Sequence, residues 1–156
     1  MKNKIEELLS KNNEISYAQI AKELNVSLVQ ILREAPEVKK YDVEKKDELF
    51  EILRGWEKVL LLAVTPNFVL EIKDKFPKGE YGHGYLNFHD PNSSIGGHLS
   101  ASNIKEIFIV KDIMYGRVSC SIKFYGEDEK EIFSVYVPRD ENKELIEECL
   151  DSFNSL

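Results

Sequence analysis

From residue 59 to residue 137 the sequence reads as a run of short strands with no helical pattern between them. Some segments alternate apolar and polar residues, others are short apolar runs, and turn residues such as Thr65-Pro66-Asn67 separate them. The predicted strands cover residues 59–64, 68–72, 81–89, 104–110, 117–124 and 132–137, with a further short strand at His98. Successive strands without intervening helices predict an antiparallel sheet, and the run 59–64 is typical of a strand buried on both faces.

Helical patterns flank this predicted sheet on both sides. Two of them begin with a capping box, a hydroxyl residue followed three positions later by an amide, and Asn25 suits the tight turn between them. The predicted helices cover residues 2–11, two segments beginning at Ser16 and Ser27, residues 47–54, and a last helix from about Glu141. The fold class is therefore α+β, with an N-terminal segment of helix–turn–helix type, an antiparallel sheet and a C-terminal helix.

Pro36 marks the end of the N-terminal helices, because proline does not continue a helix beyond its first turn. The polar residues 37–46 that follow are typical of a linker. We therefore divide the chain into an N-terminal helical segment, residues 1–36, and an antiparallel-sheet domain, residues 37–156, which together form one compact unit of ordinary domain size.

The charge of the chain disfavours nucleic acid as a partner. The formal net charge is −7, and residues 1–40, which hold the helix–turn–helix pattern, carry seven Lys or Arg against six Glu. Proteins that bind DNA need clustered cations to replace the counterions on its phosphates. The second helix of the pattern offers only Gln30 and Arg33, so a DNA-binding regulator is the weakest of the functions considered.

The sequence favours the cytoplasm and gives no reason to expect a membrane partner. The longest apolar run, Val59 to Val64, is too short to span a bilayer. The N-terminus turns acidic at Glu6 and Glu7, where a secretion signal would need an apolar run. The two cysteines lie on apolar strand and helix patterns, Cys120 and Cys149, without metal-site spacing. They fit a reducing compartment and a place in the core.

All three histidines lie in one stretch, residues 78–99, together with five of the eight glycines. If residues 81–89 form one strand, its pleat places Tyr81, His83, Tyr85, Asn87 and His89 on one face and Leu86 and Phe88 on the other. One face is then able to coordinate or hydrogen-bond while the other packs, and the glycines indicate a place where a bulky group comes close. This pattern predicts a ligand surface.

Zinc binding, acyl transfer and nucleotide chemistry fit this surface poorly. On a straight strand His83 and His89 would lie roughly 20 Å apart, too far to share a zinc ion, and the chain has no nucleophile elbow or phosphate-binding glycine loop. Haem suits the residue types better, since it needs an axial nitrogen or oxygen donor and apolar contacts. His98 or a tyrosine is the candidate donor, and the apolar candidates are Leu86, Phe88, Leu99 and Ile113. From pattern alone, ordinary surface or core histidines in a plain sheet remain the simpler interpretation.

A resemblance to a known family favours haem. Gly-His-Gly-Tyr-Leu-Asn-Phe-His at 82–89 and Gly-His-Leu at 97–99 are similar to the pattern of the HutX/ChuX family of cytosolic haem-utilisation carrier proteins. The similarity continues through Met-Tyr-Gly-Arg-Val-Ser at 114–119, Phe-Ser-Val-Tyr-Val-Pro-Arg-Asp at 133–140 and Leu-Arg-Glu-Ala-Pro at 32–36. It implies a curved, saddle-like antiparallel sheet, usually in a homodimer, related to one half of the larger HemS/ChuS haem proteins.

The resemblance also implies a set of site residues. His98 matches a haem-ligand position of the family and is the first choice for the iron, with Tyr85 or Tyr115 as the alternatives. Some relatives carry a further histidine on the first strand, where this chain has Val64. The remaining candidates for contact with haem are His83, His89 and Arg117, with Arg139 as a second propionate partner.

The function that the resemblance implies is that of a cytoplasmic haem carrier. Such a protein buffers haem as cargo and delivers it to a haem-degrading enzyme, with no catalytic residues of its own. The alternative is that the protein itself degrades haem, as HemS/ChuS-type enzymes do. The two expectations differ in the chemistry that they assign to one site.

Overall fold

The computed structural model describes all 156 residues, Met1 to Leu156. It contains five α-helices: α1 (Lys2–Lys11), α2 (Tyr17–Leu24), α3 (Leu28–Leu32), α4 (Lys46–Arg54) and α5 (Glu147–Asn154). The nine strands are β1 (Val38–Tyr41), β2 (Val59–Thr65), β3 (Phe68–Asp74), β4 (Gly79–Gly82), β5 (Tyr85–Phe88), β6 (Gly97–Leu99), β7 (Ile104–Met114), β8 (Arg117–Gly126) and β9 (Glu131–Tyr136). None of the helices has the length and apolar composition that a membrane span requires.

The strands form two antiparallel sheets. The large sheet has the order β1-β7-β8-β9-β2-β3, and the small sheet has the order β4-β5-β6. Both predicted capping boxes are present, with the Ser16 hydroxyl accepting from the Gln19 N–H and the Ser27 hydroxyl from the Gln30 N–H. Asn25 ends α2 in the left-handed conformation, as expected for a tight turn. The α+β class with antiparallel sheets and a C-terminal helix is confirmed.

Each face of the large sheet carries its own hydrophobic core. Because side chains alternate across a strand, Ile107 and Ile109 of β7 enter one core and Phe108 and Val110 enter the other. The larger core has 22 buried residues and includes α4, α5, the inner face of the small sheet and both cysteines. The smaller core has 11, mainly from α1 to α3 packed on the opposite face.

A row of phenylalanines joins the small sheet to the large one through the larger core. The ring of Phe88 on β5 meets Phe76 edge-on at 5.7 Å, and Phe76 stacks on Phe50 of α4, also at 5.7 Å. Phe50 lies 5.8 Å from Phe124 of β8, whose ring stacks on Phe133 of β9 at 4.3 Å. These are favourable aromatic separations, so the row holds the small sheet in position against the large sheet.

A buried lysine lies on the other face of the large sheet. The Lys123 ammonium donates to Glu131 Oε1 at 3.2 Å and to the Tyr136 hydroxyl at 3.0 Å. Burial alone would lower the pKa of Lys123, but the Glu131 carboxylate and the Tyr136 hydroxyl outweigh it and raise that pKa above its usual value. The charge is therefore retained inside the fold.

Three sequence predictions about the elements were wrong. Residues 37–46 are not a linker, since β1 pairs with β7 and a short 3₁₀ helix, Val43–Lys45, follows it. The last helix begins at Glu147 and not near Glu141, because Arg139 and Leu145 form an isolated β-bridge before it. The strand β2 is not buried on both faces: Val59 is buried, the next residues are partly buried and Val64 is exposed.

The division into residues 1–36 and 37–156 remains a prediction. A protein of residues 37–156 keeps the whole of the larger core, so we expect it to fold. We also expect it to be less stable towards urea than the full chain, because Phe108, Val110 and Tyr125 lose the cover of α1 to α3. Urea unfolding followed by circular dichroism measures this, and a truncated protein without a cooperative transition would show that the helices are part of one indivisible core.

Candidate functional site

The stretch with the histidines forms a hairpin and not the single strand expected for residues 81–89. Gly82 pairs with Tyr85, which leaves His83 and Gly84 as a two-residue turn with φ of 53° and 84°. Positive φ at both central residues is the type I′ turn that matches the twist of paired strands. His83 therefore lies at the tip of the turn and not on a strand face, and Gly84 suits the second position because it carries no Cβ.

The hairpin changes which side chains share a face. Tyr81 pairs with Leu86, so it lies on the face opposite Tyr85 and Asn87, contrary to the alternation of a single strand. Within β5 itself the expected alternation is confirmed, because Leu86 and Phe88 are buried while Tyr85 is exposed and Asn87 is half-buried. The outer face of the small sheet thus carries the polar candidates.

His98 lies on this outer face, on β6, with its Cα directly opposite that of Asn87. Its Nδ1 is 2.6 Å from Asn87 Oδ1, and its side chain is exposed, whereas the following residue, Leu99, is buried. The ring of Tyr85 lies 6.0 Å from the His98 ring and that of His89 lies 6.3 Å from it, centroid to centroid. The structure therefore brings together three of the predicted residues, His98, Tyr85 and His89.

A tyrosine on the opposite face is unsuited to bind a metal. The Tyr81 hydroxyl donates to Asp47 Oδ1 of α4 at 2.6 Å. Partial burial and the neighbouring Asp47 carboxylate together raise the pKa of Tyr81 to about 12. Iron binds the phenolate form of tyrosine, so the raised pKa disfavours Tyr81 as a ligand. Tyr81 instead connects the hairpin to α4, and Tyr85 is the phenol that lies beside His98.

A polar cleft of about 590 Å³ lies beside this group, between β4, β5 and α4. It is lined by Glu51, Arg54, Lys78, Gly79, Glu80, Asn87 and His89. Arg54 is held by Glu51 and by the Pro77 carbonyl, whereas Lys78 makes no ion pair. A Cβ on Gly79 would lie 2.8 Å from the Asn87 carbonyl oxygen, so only glycine permits this approach of β4 to β5.

Tyr115 and Arg117, also predicted for the site, lie elsewhere. Tyr115 is fully exposed at the turn between β7 and β8, and both residues line a cleft of about 300 Å³ on the large sheet with Leu60, Leu62 and Tyr136. Arg117 and Arg139 donate to the Lys143 carbonyl. Within one chain the structure does not bring these residues to the His98 cleft. Val64, the position where some relatives of the family were expected to carry a further histidine, lies near the tip of the β2–β3 hairpin.

The residues around His98 fit the donor requirement of haem iron better than its apolar requirement. An exposed imidazole nitrogen and a phenol are both axial donors used for haem. The expected apolar contacts Leu86, Phe88 and Leu99 are buried in the larger core and face away from His98, and Ile113 lines a different cavity. Exposed aromatic surface beside His98 comes from Tyr85 instead.

Sequence reasoning missed the hydrogen-bond partner of His98. Asn87 was placed on a strand face, but its contact with a residue on another strand has no local sequence signal. The contributions of Asp47, Glu51 and Arg54 from α4 were also missed, because only the packed fold brings that helix beside the hairpin.

The family description "Haem utilisation ChuX/HutX" matches residues 40–156. The "Intracellular heme transport protein HutX" of Vibrio cholerae is 28% identical over 158 residues, covering 100% of this chain and 82% of that protein. The solved structure of "the Heme Binding Protein ChuX" is 23% identical with a TM-score of 0.85, covering 97% of this chain and 95% of the other.

A larger protein shares the fold. The "heme degrading enzyme ChuS" of Escherichia coli O157:H7 is 17% identical with a TM-score of 0.76, and the match covers 90% of this chain but 42% of ChuS. The expected relation to one half of the ChuS-type fold is thus confirmed. Together with the match over residues 40–156, these findings show that the chain belongs to the haem utilisation ChuX/HutX family.

Proposed function

We propose that this protein binds haem as cargo in the cytoplasm and delivers it to a haem-degrading enzyme. Family membership supports the cargo, since a full-length relative is named an intracellular haem transport protein and another family member a haem-binding protein. The observation that carries the proposal is His98, whose Nδ1 is engaged by Asn87 while its ring is exposed, so that Nε2 is free to bind iron.

In the proposed complex His98 is the axial ligand, and Tyr85 is the nearest alternative oxygen donor. The cleft beside them offers Lys78 and His89 as basic groups for the propionates. Tyr115 and Arg117 remain candidates only if another surface, such as that of a second copy, joins the two clefts. When bound, the haem iron supplies the Lewis acid that the imidazole nitrogen coordinates.

An open site suits a carrier better than an enzyme. His98, Tyr85 and His89 are all exposed, so bound haem would remain partly accessible to a receiving protein. The alternative of a haem-degrading enzyme has one observation in its favour, the fold shared with ChuS. The hypothesis of a DNA-binding regulator is weakened, because Arg33 donates to Glu106 and Glu129 and so is not free to contact phosphates.

Haem titration tests the ligand. We expect one haem per chain, with the affinity of His98→Ala at least about tenfold lower than that of the wild type, a loss of about 1.4 kcal/mol, because an axial bond is lost. His83→Ala and His89→Ala are the matched controls, and each should weaken binding less. An unchanged Soret spectrum and equal affinity in His98→Ala would reject His98 as the ligand.

Incubation of the haem complex with an electron donor separates carrier from enzyme. For a carrier we expect the Soret band to persist and no iron to be released, since the chain presents no enclosed site that excludes water. Loss of the Soret band accompanied by free iron, measured with a ferrous chelator, would support the enzyme instead.

We further propose a homodimer that uses the tip of the β2–β3 hairpin. Val64, Phe68, Val69 and Leu70 are exposed there, and β3 is an edge strand of the large sheet. Light scattering should give twice the chain mass of 18.0 kDa. Phe68→Asp should shift the protein towards monomer, whereas Ile52→Asp, at an exposed apolar residue of α4, should not. A monomeric wild type at micromolar concentration would contradict the dimer.

A further inference from the structure

We propose that Asn87 selects the Nδ1–H tautomer of His98 and thereby keeps the Nε2 lone pair exposed, which makes Asn87 a positioning residue for iron binding. The part that concerns iron rests on the proposed function. The part that concerns the tautomer does not, because it follows from hydrogen bonds within the protein.

The first step is the orientation of the Asn87 amide. Asn87 Nδ2 lies 3.0 Å from the Gly82 carbonyl oxygen and 3.3 Å from the Glu80 carbonyl oxygen. Carbonyl oxygens only accept hydrogen bonds, so the group facing them must be the NH₂ of the amide. The amide oxygen, Oδ1, is thereby turned towards β6 and His98.

The second step is the tautomer of His98. A neutral imidazole has one N–H and one lone pair, and the amide oxygen of Asn87 can only accept. At a separation of 2.6 Å, His98 Nδ1 must therefore be the protonated nitrogen that donates to Asn87 Oδ1. Nε2 then carries the lone pair, which is the form of histidine that binds a metal.

The third step is the rigidity of this arrangement. Asn87 and His98 are directly opposite in register, and the turn at His83 and Gly84 brings the Gly82 carbonyl back over Asn87. The other side chains near His98, Tyr85 and His89, meet its ring without a hydrogen bond to Nδ1. One amide therefore links the three strands of the small sheet and orients the imidazole.

The arrangement has a chemical consequence for the ligand. Metal-binding histidines commonly donate their second N–H to an oxygen acceptor, which fixes the ring and raises the basicity of the ligating nitrogen. Here the acceptor is a neutral amide, which polarises the Nδ1–H bond less than a carboxylate would, so Nε2 is a weaker donor than in a carboxylate–histidine pair. This suits a ligand that must bind iron and later release it.

The tautomer is measurable in the haem-free protein. Long-range ¹H–¹⁵N correlation spectra, recorded above the pH range in which imidazoles titrate, distinguish a protonated from an unprotonated ring nitrogen. In the wild type we expect His98 to be a single Nδ1–H tautomer. Detection of Nε2–H, or of a mixture of tautomers, in the wild type would overturn the proposal without any variant and whatever the outcome of haem titration.

Two variants of Asn87 distinguish the orientation of His98 from a purely structural role of Asn87 in the hairpin. Asn87→Leu is similar in size but accepts no hydrogen bond, so the tautomer should become mixed and haem affinity should fall by roughly 10–100-fold. Asn87→Asp keeps an acceptor for Nδ1–H but loses both bonds to the carbonyls. We expect it to retain the tautomer and to shift the Fe(III)/Fe(II) potential of the complex to more negative values, because a carboxylate makes the imidazole a stronger donor.

The outcomes are distinct for the two proposals. Equal losses of affinity and of thermal stability in Asn87→Leu and Asn87→Asp, with the same tautomer in both, would mean that Asn87 only braces the hairpin. If wild type and variants all fail to bind haem while the tautomer behaves as expected, the proposed function is wrong and the orientation of His98 by Asn87 still holds.

Discussion

The alternation of side chains along the β7–β8 ladder is the constraint on which the rest of the structure depends. These two long strands pair over most of their length, and successive residues enter opposite cores. A shift of one residue would exchange the two sets, placing Phe108 among α4 and α5 and Ile109 beneath α1 to α3. Because both cores would be disrupted at once, the register of this pair is strongly specified, and β1 and β9 pair directly with its two outer edges.

The candidate site depends on this ladder only indirectly. The small sheet makes contact with the rest of the fold through its buried face, where the row of phenylalanines from Phe88 to Phe133 runs into the larger core. Its outer face is then free to carry polar groups. Buried apolar residues in β5 and β6 hold the backbone in place, and the alternate positions of the same strands present Asn87 and His98. The packing residues and the proposed ligand residues thus share one short stretch of sequence.

Much of the fold could be predicted from local patterns, because helix caps and strand alternation are local physics. The capping boxes at Ser16 and Ser27 are confirmed, and so are most strand positions from residue 59 onward. The hairpin within residues 81–89 was missed because His83 holds the first turn position, where asparagine, aspartate or glycine is the usual residue. The prediction of a linker was wrong because Lys39 and Lys40 are typical of a polar loop, although they lie in an edge strand. The pairing of Asn87 with His98 could not be predicted, since it depends on strand register.

The small sheet is also set apart by the short range of its connections. Its ladders close within residues 79–99, from the pair Gly82 and Tyr85 to the pair Leu86 and Leu99. The large sheet instead joins distant parts of the chain, such as Leu62 with Ser134. Segments with local contacts and exposed hydrogen bonds open at lower free energy than the whole protein unfolds. The three strands around His98 therefore form a natural unit of local opening, which would separate Leu86, Phe88 and Leu99 from the larger core while the smaller core and the β7–β8 ladder stay intact.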